Sequence, residues 1–591
     1  MTDKKISFGR VFWPSLTASI IILIIITIVF AFFIGSLMNS KSVYNVESNT
    51  ILHMQLDGAI KEKSTAKINP LSFKIDQTMG LSELLYGFKK AAQDTKIKGV
   101  FIELKGAQCG YATATEIRNA INRFEEETDK FVVAYHSGEI ISLNQYYIAS
   151  AANESYGFHS SMFEFLGLGT ELMFYKGLFD KIDLEMQVVR GNNNDFKSAV
   201  EPYFRKKMSD SSRLQMETYL NNIWDDVKKN ISADIDVPAS ELDLIADSSR
   251  IRRVSQAVKY DLIDSVKYRD EVIKILAKKI GVENVKDLQF KGFEKYARKK
   301  FENQQAIANG KKANIAIVIA EGAVSVDGDG MASKRITKLL QEARKDDDIK
   351  TIVFRVNSPG GSALASEEIW REVKLANEKK KVIVSMGDVA ASGGYYISTP
   401  SSKIFAESTT ITGSIGVFGV IPYTGAMLEN NLGITFDEVS TNQHAILSTN
   451  RKLSPSEFNT IQKEVNYIYE EFLNRVSKGR NLPLDRVKQI ARGRVWTGGD
   501  ALRVGLVDTL GGITDAIAYA AEQAKIEDPI VRYYPKVEKD VWMELIESFE
   551  EKDNVKVNAL PKEFYALYER IKKVENFTGI QARLPYDFIW K

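Results

Sequence analysis

The sequence predicts an α/β protein of two tandem domains with parallel sheets, preceded by one transmembrane helix. Three observations carry that reading: self-similarity at offsets of 244–252 residues, short β-rich runs alternating with amphipathic helical periods, and one long apolar run at the N-terminus. At 591 residues there is room for several domains, and 44% hydrophobic with 26% charged residues is a globular balance that excludes wholesale disorder. Lys+Arg at 79 against Asp+Glu at 77 leaves no basic surplus, so nucleic acid is not expected as a partner. The single cysteine, Cys109, excludes an internal disulfide and any multi-cysteine metal site.

No charged residue occurs between Val11 and Ser40, and Ile20 to Ile26 is an unbroken aliphatic run. About 20 apolar residues span a bilayer as a helix, whereas a cleavable signal peptide has an apolar core of roughly 7–15 followed by a small-x-small site. This run is longer and ends in Phe32-Phe33-Ile34, so residues 11–38 read as an uncleaved anchor, with a long signal peptide as the alternative. Lys4, Lys5 and Arg10 precede it and Lys41 follows, which keeps residues 1–10 in the cytoplasm and the body outside.

The body is one unit written twice. Asp94-Thr-Lys-Ile-Lys-Gly-Val-Phe-Ile-Glu-Leu104 answers Asp346-Asp-Asp-Ile-Lys-Thr-Ile-Val-Phe-Arg-Val356, and Tyr146-Tyr147-Ile148 answers Tyr395-Tyr396-Ile397. Met208-Ser209 is followed by Leu453-Ser454, and Leu262-Ile263-Asp264 by Leu506-Val507-Asp508. The units are placed at 49–300 and 313–525, with the polar stretch 303–312 as linker and 526–591 as a C-terminal extension carrying helical periods at 541–549 and 564–574.

Within the second unit, Ile315–Ile319, Thr351–Val356 and Val382–Ser385 read as buried strands, and Ile336–Lys345 and Ser366–Lys379 as helices between them. That alternation implies parallel strands with right-handed crossovers, whose ligands bind beyond the carboxyl ends of the strands. The loops there are glycine-rich: Asn357-Ser-Pro-Gly-Gly-Ser362 and Met386-Gly-Asp-Val-Ala-Ala-Ser-Gly-Gly-Tyr395. Glycine lets backbone N–H groups approach a ligand, and two aimed at one point form an oxyanion hole worth about 3–4 kcal/mol per donor. No glycine-rich loop carries the Lys-Ser/Thr of a phosphate loop, and His-Glu-x-x-His is absent.

Ser358-Pro-Gly-Gly361, Ala390-Ala-Ser-Gly-Gly-Tyr-Tyr-Ile397 and Thr412-Gly-Ser-Ile-Gly-Val417 resemble the second half of the signal peptide peptidase A (protease IV) family, and Asp195-Phe-Lys-Ser-Ala-Val-Glu-Pro202 resembles the lysine segment of its first half. The likeness covers the whole chain in the family's long, duplicated form. It implies two Clp-protease/crotonase-like domains, a Ser–Lys dyad without cofactor or metal, and a membrane-anchored homotetramer. It further implies a bacterial cytoplasmic (inner) membrane location with the catalytic body on the periplasmic or outer side. The substrates implied are signal peptides left in the membrane and other apolar peptides.

The repeat itself points to the dyad. Gly413-Ser414-Ile415-Gly416 faces Glu164-Phe165-Leu166-Gly167, and Lys197-Ser198 faces Leu447-Ser448. Each unit therefore holds one half of a nucleophile–base pair and an apolar residue in place of the other. A site forms only where the first unit docks on the second, within a chain or between neighbours. A serine needs a base to attack. The four histidines, His53, His136, His159 and His444, stand in no triad setting, although a Ser414–His444 pair is an alternative. A lysine of free pKa near 10.4 serves at ~7–8 if burial disfavours its charge by roughly 4 kcal/mol. Ser440 is the candidate to orient that lysine, and the backbone N–H groups of Gly361, Gly393 and Ser414 are candidate oxyanion donors. Ser392 is a rival nucleophile, because the related Clp protease subunit carries its serine in a similar Ala-Ser segment. Taken singly, Ser414 suits a tight turn and Lys197 a solvated surface. An acyl-CoA enzyme of the crotonase superfamily and a non-catalytic membrane scaffold are the other classes considered.

Overall fold

The computed structural model describes residues 46–68, 75–310, 312–328, 330–535 and 580–583. The expected cytoplasmic N-terminus, the anchor and most of the C-terminal extension lie outside these residues. Among the described residues no helix is long and apolar enough to cross a membrane.

In the first unit, β1 (Thr50–Lys61), β2 (Ile97–Gln108), β3 (Phe131–His136) and β4 (Glu154–Gly157) pair in parallel in the order β4-β3-β2-β1. The crossovers contain α1 (Leu81–Gln93), α2 (Tyr111–Glu126) and α3 (Leu143–Ala149). Along β2, Val100, Phe101, Ile102 and Leu104 are all buried, with no in–out alternation, because both faces of the sheet are covered. Strand β5 (Glu185–Arg190) leaves this sheet. Helix α4 (Asp210–Ile235) starts at Ser209, whose hydroxyl accepts the Ser212 N–H.

The polar stretch expected as a linker is helical: α5 spans Phe293–Gly310. Phe293, Tyr296, Ala297, Phe301, Gln305 and Ala308 form one buried stripe at helical spacing, and this periodicity overrides the polar composition of its last turns. The amides of Gln304 and Gln305 donate to the Val531 carbonyl at 2.7 and 3.1 Å, so the expected connector is seated on the second unit.

The second unit repeats the plan with β6 (Ile315–Glu321), β7 (Val324–Ser325), β8 (Met331–Ala332), α6 (Ser333–Lys345), β9 (Thr351–Ser358), β10 (Gly360–Ser362), α7 (Ala363–Lys379), β11 (Val382–Ala391), α8 (Gly393–Ser398), β12 (Ile411–Gly413), β13 (Phe418–Tyr423), α9 (Gly425–Leu432), α10 (Pro455–Arg480), β14 (Val495–Thr497) and β15 (Val531–Tyr534). Its main sheet runs β14-β12-β11-β9-β6-β15, parallel except where β14 meets β12. Strand β15 pairs Ile315 with Val531 through Val318 with Tyr534, so this sheet takes in residues beyond the expected limit at 525.

A third sheet joins the units. Strand β5 of the first unit pairs antiparallel with β13 of the second, Arg190 opposite Phe418 through Glu185 opposite Tyr423. Another part of the contact is polar and buried. Arg355 of β9 holds Glu62 at 2.8 Å and Glu116 at 2.5 Å, both from the first unit. The Asp388 carboxylate accepts the Gly110 and Thr113 N–H groups and the Thr113 hydroxyl, capping α2 across the seam.

Candidate active site

The segment that follows β5 crosses onto the second unit. Gly191 N–H donates to the Val417 carbonyl at 3.0 Å and Phe196 N–H to the Arg492 carbonyl at 3.1 Å. Gln215 of α4 links both sides: its amide N–H groups donate to Phe196 O (3.0 Å) and Ser198 Oγ (2.8 Å), and its carbonyl accepts the Val495 N–H (3.2 Å). At Gly493, with φ +75°, an added Cβ would stand 2.6 Å from Lys197 Cβ. Only glycine gives both that backbone angle and that space.

The two serines are brought together by strand register. Strands β11 and β12 pair in parallel with Ala391 opposite Gly413, and the next residues are Ser392 and Ser414. Both serines have positive φ, +56° and +48°, a conformation that costs on the order of 1–3 kcal/mol each outside glycine. Surrounding bonds hold them there. Ser392 N–H donates to the Gly413 carbonyl (2.8 Å), the Ser392 carbonyl accepts the Tyr396 N–H (2.8 Å), and Ser414 N–H donates to the Arg494 carbonyl (2.7 Å).

Lys197 Nζ lies 2.8 Å from Ser392 Oγ, 3.0 Å from Ser414 Oγ and 3.0 Å from the Ser414 carbonyl. Lys197, Ser392 and Ser414 are each 0% exposed. All three partners of the amine are uncharged oxygens, and burial pushes its pKa well below the usual lysine value. A neutral amine offers two N–H groups and one lone pair. The Ser414 carbonyl can only accept, so it takes one N–H. When the lone pair accepts from Ser414 Oγ–H, the remaining N–H falls to Ser392 Oγ. That arrangement can deprotonate Ser414.

Ser414 and Lys197 come together within one chain. Ser440 does not join them: it is exposed on the segment after α9, and the hydroxyl expected of it at the lysine is that of Ser392. His444 is likewise exposed while Ser414 is buried, which removes the Ser414–His444 alternative. The Ser414 N–H, committed to Arg494, is not free to serve an oxyanion. Gly393 opens α8, whose first-turn N–H groups lack helical partners. Gly361 lies in β10, where an added Cβ would stand 2.1 Å from the Val324 carbonyl oxygen. Phe165, at the first unit's serine position, is buried edge-on against Trp224 and Tyr146, whereas Leu447 is 66% exposed and plugs nothing. Gln215 escaped sequence reasoning because a glutamine inside an amphipathic helix carries no local signal.

The family model for Peptidase family S49 matches residues 125–283 and 374–527, one stretch in each unit. Serine protease SPPA, chloroplastic, of Arabidopsis thaliana is 32% identical over 490 residues, covering 81% of this chain and 70% of the relative. Protease 4 of Salmonella typhi is 33% identical over 474 residues, covering 78% and 74%. A putative signal peptide peptidase SppA of Enterococcus faecium is 37% identical over 198 residues, 33% of this chain and 57% of the relative. Matched in both of its units, and aligned with long relatives over most of its length, the chain belongs to peptidase family S49 in the duplicated form and is a serine protease.

Proposed function

We propose that the protein is a membrane-anchored endopeptidase with a Ser–Lys dyad that degrades cleaved signal peptides and other apolar peptides at the membrane. One observation carries the mechanism: a buried lysine amine, in uncharged surroundings, within hydrogen-bond reach of the Ser414 hydroxyl. Ser414 Oγ attacks the scissile carbonyl carbon as its proton passes to Lys197 Nζ. The tetrahedral intermediate collapses with loss of the amine, which takes that proton from the lysine, and leaves an ester on Ser414. Water then attacks the ester, Lys197 again takes and returns a proton, and the acid departs. Backbone N–H groups at Gly393 and Gly361 are the proposed donors to the oxyanion. Ser392 holds the lysine and takes no part in bond making.

The anchor predicted at residues 11–38 supports a bacterial inner-membrane location with the body outside the cytoplasm, where apolar peptides are met at high effective concentration. The family resemblance implies a homotetramer, and the repeat suits a head-to-tail assembly. Within the chain, β5 of the first unit pairs with β13 of the second. The repeat counterparts of these strands, residues 169–174 and 435–440, are outside any strand, and Met173, Phe436 and Val439 are exposed at 62%, 45% and 95%. Joining them between neighbours would repeat the internal contact as a heterologous interface, which gives a ring when its rotation closes.

The test is hydrolysis of an apolar peptide by the detergent-solubilised protein, with fluorophosphonate labelling of its nucleophile. Ser414→Ala and Lys197→Ala should each lose at least about a thousandfold in kcat, and Ser414→Ala should lose the label. Because both side chains come from one chain, mixing the two variants with subunit exchange should restore nothing. An active Lys197→Ala protein would refute the dyad. Activity on acyl-CoA without labelling, or no hydrolysis at all, would favour the crotonase-type enzyme or the scaffold.

A further inference from the structure

Helices α2 and α7 are repeat counterparts, yet they are capped differently. Helix α7 starts at Ser362, whose own hydroxyl accepts the Ala365 N–H at 3.3 Å. At the 252-residue offset its place is taken in α2 by Gly110, which has no side chain to cap with. The Asp388 carboxylate of the second unit fills that position. Its Oδ1 accepts the Thr113 N–H at 2.8 Å, and its Oδ2 accepts the Gly110 N–H at 3.2 Å and the Thr113 hydroxyl at 2.7 Å. Gly110 also makes the room, because a Cβ there would stand 2.3 Å from Asp388 Cγ. A cap that one half lacks is delivered by the other, and the helix dipole favours a carboxylate at this end.

Asp388 stands in an irregular part of β11. Val356 pairs with Met386 and Ser358 with Ala390, so the single residue Asn357 of β9 faces Gly387, Asp388 and Val389. Before this bulge Ile383–Ser385 pair with Lys403–Phe405; after it Val389–Ala391 pair with Ile411–Gly413 of β12. The bulge hands the strand from one neighbour to the next, and the residue after Ala391 is Ser392. A bulge leaves ladder groups unpaired and bends its strand, so the side chains beyond it are aimed by whatever holds the bulge. Here the first unit holds it twice. Asp388 is bound by α2, and Val389 N–H donates to Asn357 Oδ1 (3.1 Å), whose amide N–H donates to Glu62 Oε1 of the first unit (2.9 Å).

We propose that Asp388 is a positioning residue: its docking on the N-terminus of α2 fixes the β11 bulge and, through it, the place of Ser392 against the Lys197 amine. The first unit then supplies the lysine and also aims the strand that meets it. The effect on rate rests on the Ser–Lys reading, while the cap across the seam rests on hydrogen bonds alone.

Three variants separate capping from positioning. Asp388→Ala removes every bond to α2, and a shift of Ser392 by about 1 Å should lower kcat roughly a hundredfold with KM within about threefold. Asp388→Gly should do the same and lower the melting temperature. Adding Gly110→Ser to Asp388→Gly, where the lost side chain leaves room for it, should give α2 the cap that Ser362 gives α7. That pair should regain most of the thermal stability and none of the kcat. With Ser392 displaced the ammonium loses an acceptor, so the acid limb of the pH–rate profile should move to lower pH in all three. Thr113→Val, in the first unit, removes one bond to Asp388 and should lower kcat about two- to tenfold, a readout that survives if the stronger variants fail to fold. Full kcat in Asp388→Ala, recovery of kcat together with stability in the pair, or unchanged kcat in Thr113→Val would overturn the positioning role. A wild-type melting temperature in Asp388→Gly would overturn the cap itself, with no need of catalysis. A wild type without hydrolysis would instead sink the protease reading and leave the cap to stand on the melts.

Discussion

Removing the Ser392 hydroxyl isolates what holds the lysine in place. In Ser392→Ala the amine loses its partner at 2.8 Å and keeps both contacts to Ser414. Before reaction that bond joins two neutral groups and is worth about 0.5–1.5 kcal/mol; once the amine takes the Ser414 proton it becomes charge-assisted, about 1.5–3 kcal/mol. Only the difference, about 1–1.5 kcal/mol, accelerates the chemical step, which predicts a roughly tenfold fall in kcat with KM little changed. Losing an acceptor also disfavours the ammonium, so the acid limb of the pH–rate profile should move to lower pH. Ser392→Gly should lose the same activity yet be more stable than Ser392→Ala, because glycine relieves the positive φ at this position. Steady-state kinetics across pH, with thermal melts of both variants, read out all three effects. Unchanged kcat and an unmoved acid limb in Ser392→Ala would refute the positioning role. Loss of fluorophosphonate labelling in Ser392→Ala, with labelling retained in Ser414→Ala, would transfer the nucleophile to Ser392.

Other perturbations follow from the same geometry. Burial holds the Lys197 pKa below its unfolded value, so between the two values the unfolded chain carries the extra proton and wild-type stability rises with pH. Lys197→Met should therefore melt higher than wild type at neutral pH, by a margin that shrinks as pH approaches 10.5, while being inactive; a margin that grows with pH would contradict a neutral buried amine. Activity of the wild type should fall as pH drops through the depressed pKa, seen as a single acid limb absent from any lysine-independent process. Gly493→Ala should lose at least about 1–3 kcal/mol of stability and most of the activity, because its φ of +75° is strained for alanine and its Cβ would meet Lys197 Cβ; denaturant titration and peptide hydrolysis check it. Arg355→Leu should destabilise the protein by about 3–5 kcal/mol, since it leaves the Glu62 and Glu116 carboxylates buried without their partner, as calorimetry would show.

The parts of this fold that were legible are those written in local periodicity. Strands at Ile315–Ile319, Thr351–Val356 and Val382–Ser385 and the helices after them follow from apolar runs and 3.6-residue stripes, and the repeat supplies the second copy. The observed strands are longer because Asn357-Ser358 and Met386–Ala391 continue the extended backbone into the glycine-rich loops. The helix through 303–310 is hidden by the polar residues on its exposed side, and shows only when the buried stripe Phe301, Gln305, Ala308 is traced through them. The pairing of Ser414 with Lys197 was readable from the complementary apolar residues at their repeat positions. Ser392 at the lysine was not, because that neighbour is set by the β11–β12 register, and sequence motif gave no reason to prefer it over Ser440. The strand Ile580–Arg583, antiparallel to β10 and β13, has no local signature: four residues become a strand only because two edges stand apart at the right spacing.

The ladder between β5 and β13 has a consequence for descent. The lysine segment runs on from one of these strands and the serine turn leads into the other, so a single sheet carries both groups of the proposed dyad. A gene whose ancestral halves each carried a full complement could shed one function from each copy without losing the reaction. Having done so, neither half could be deleted without loss of the reaction.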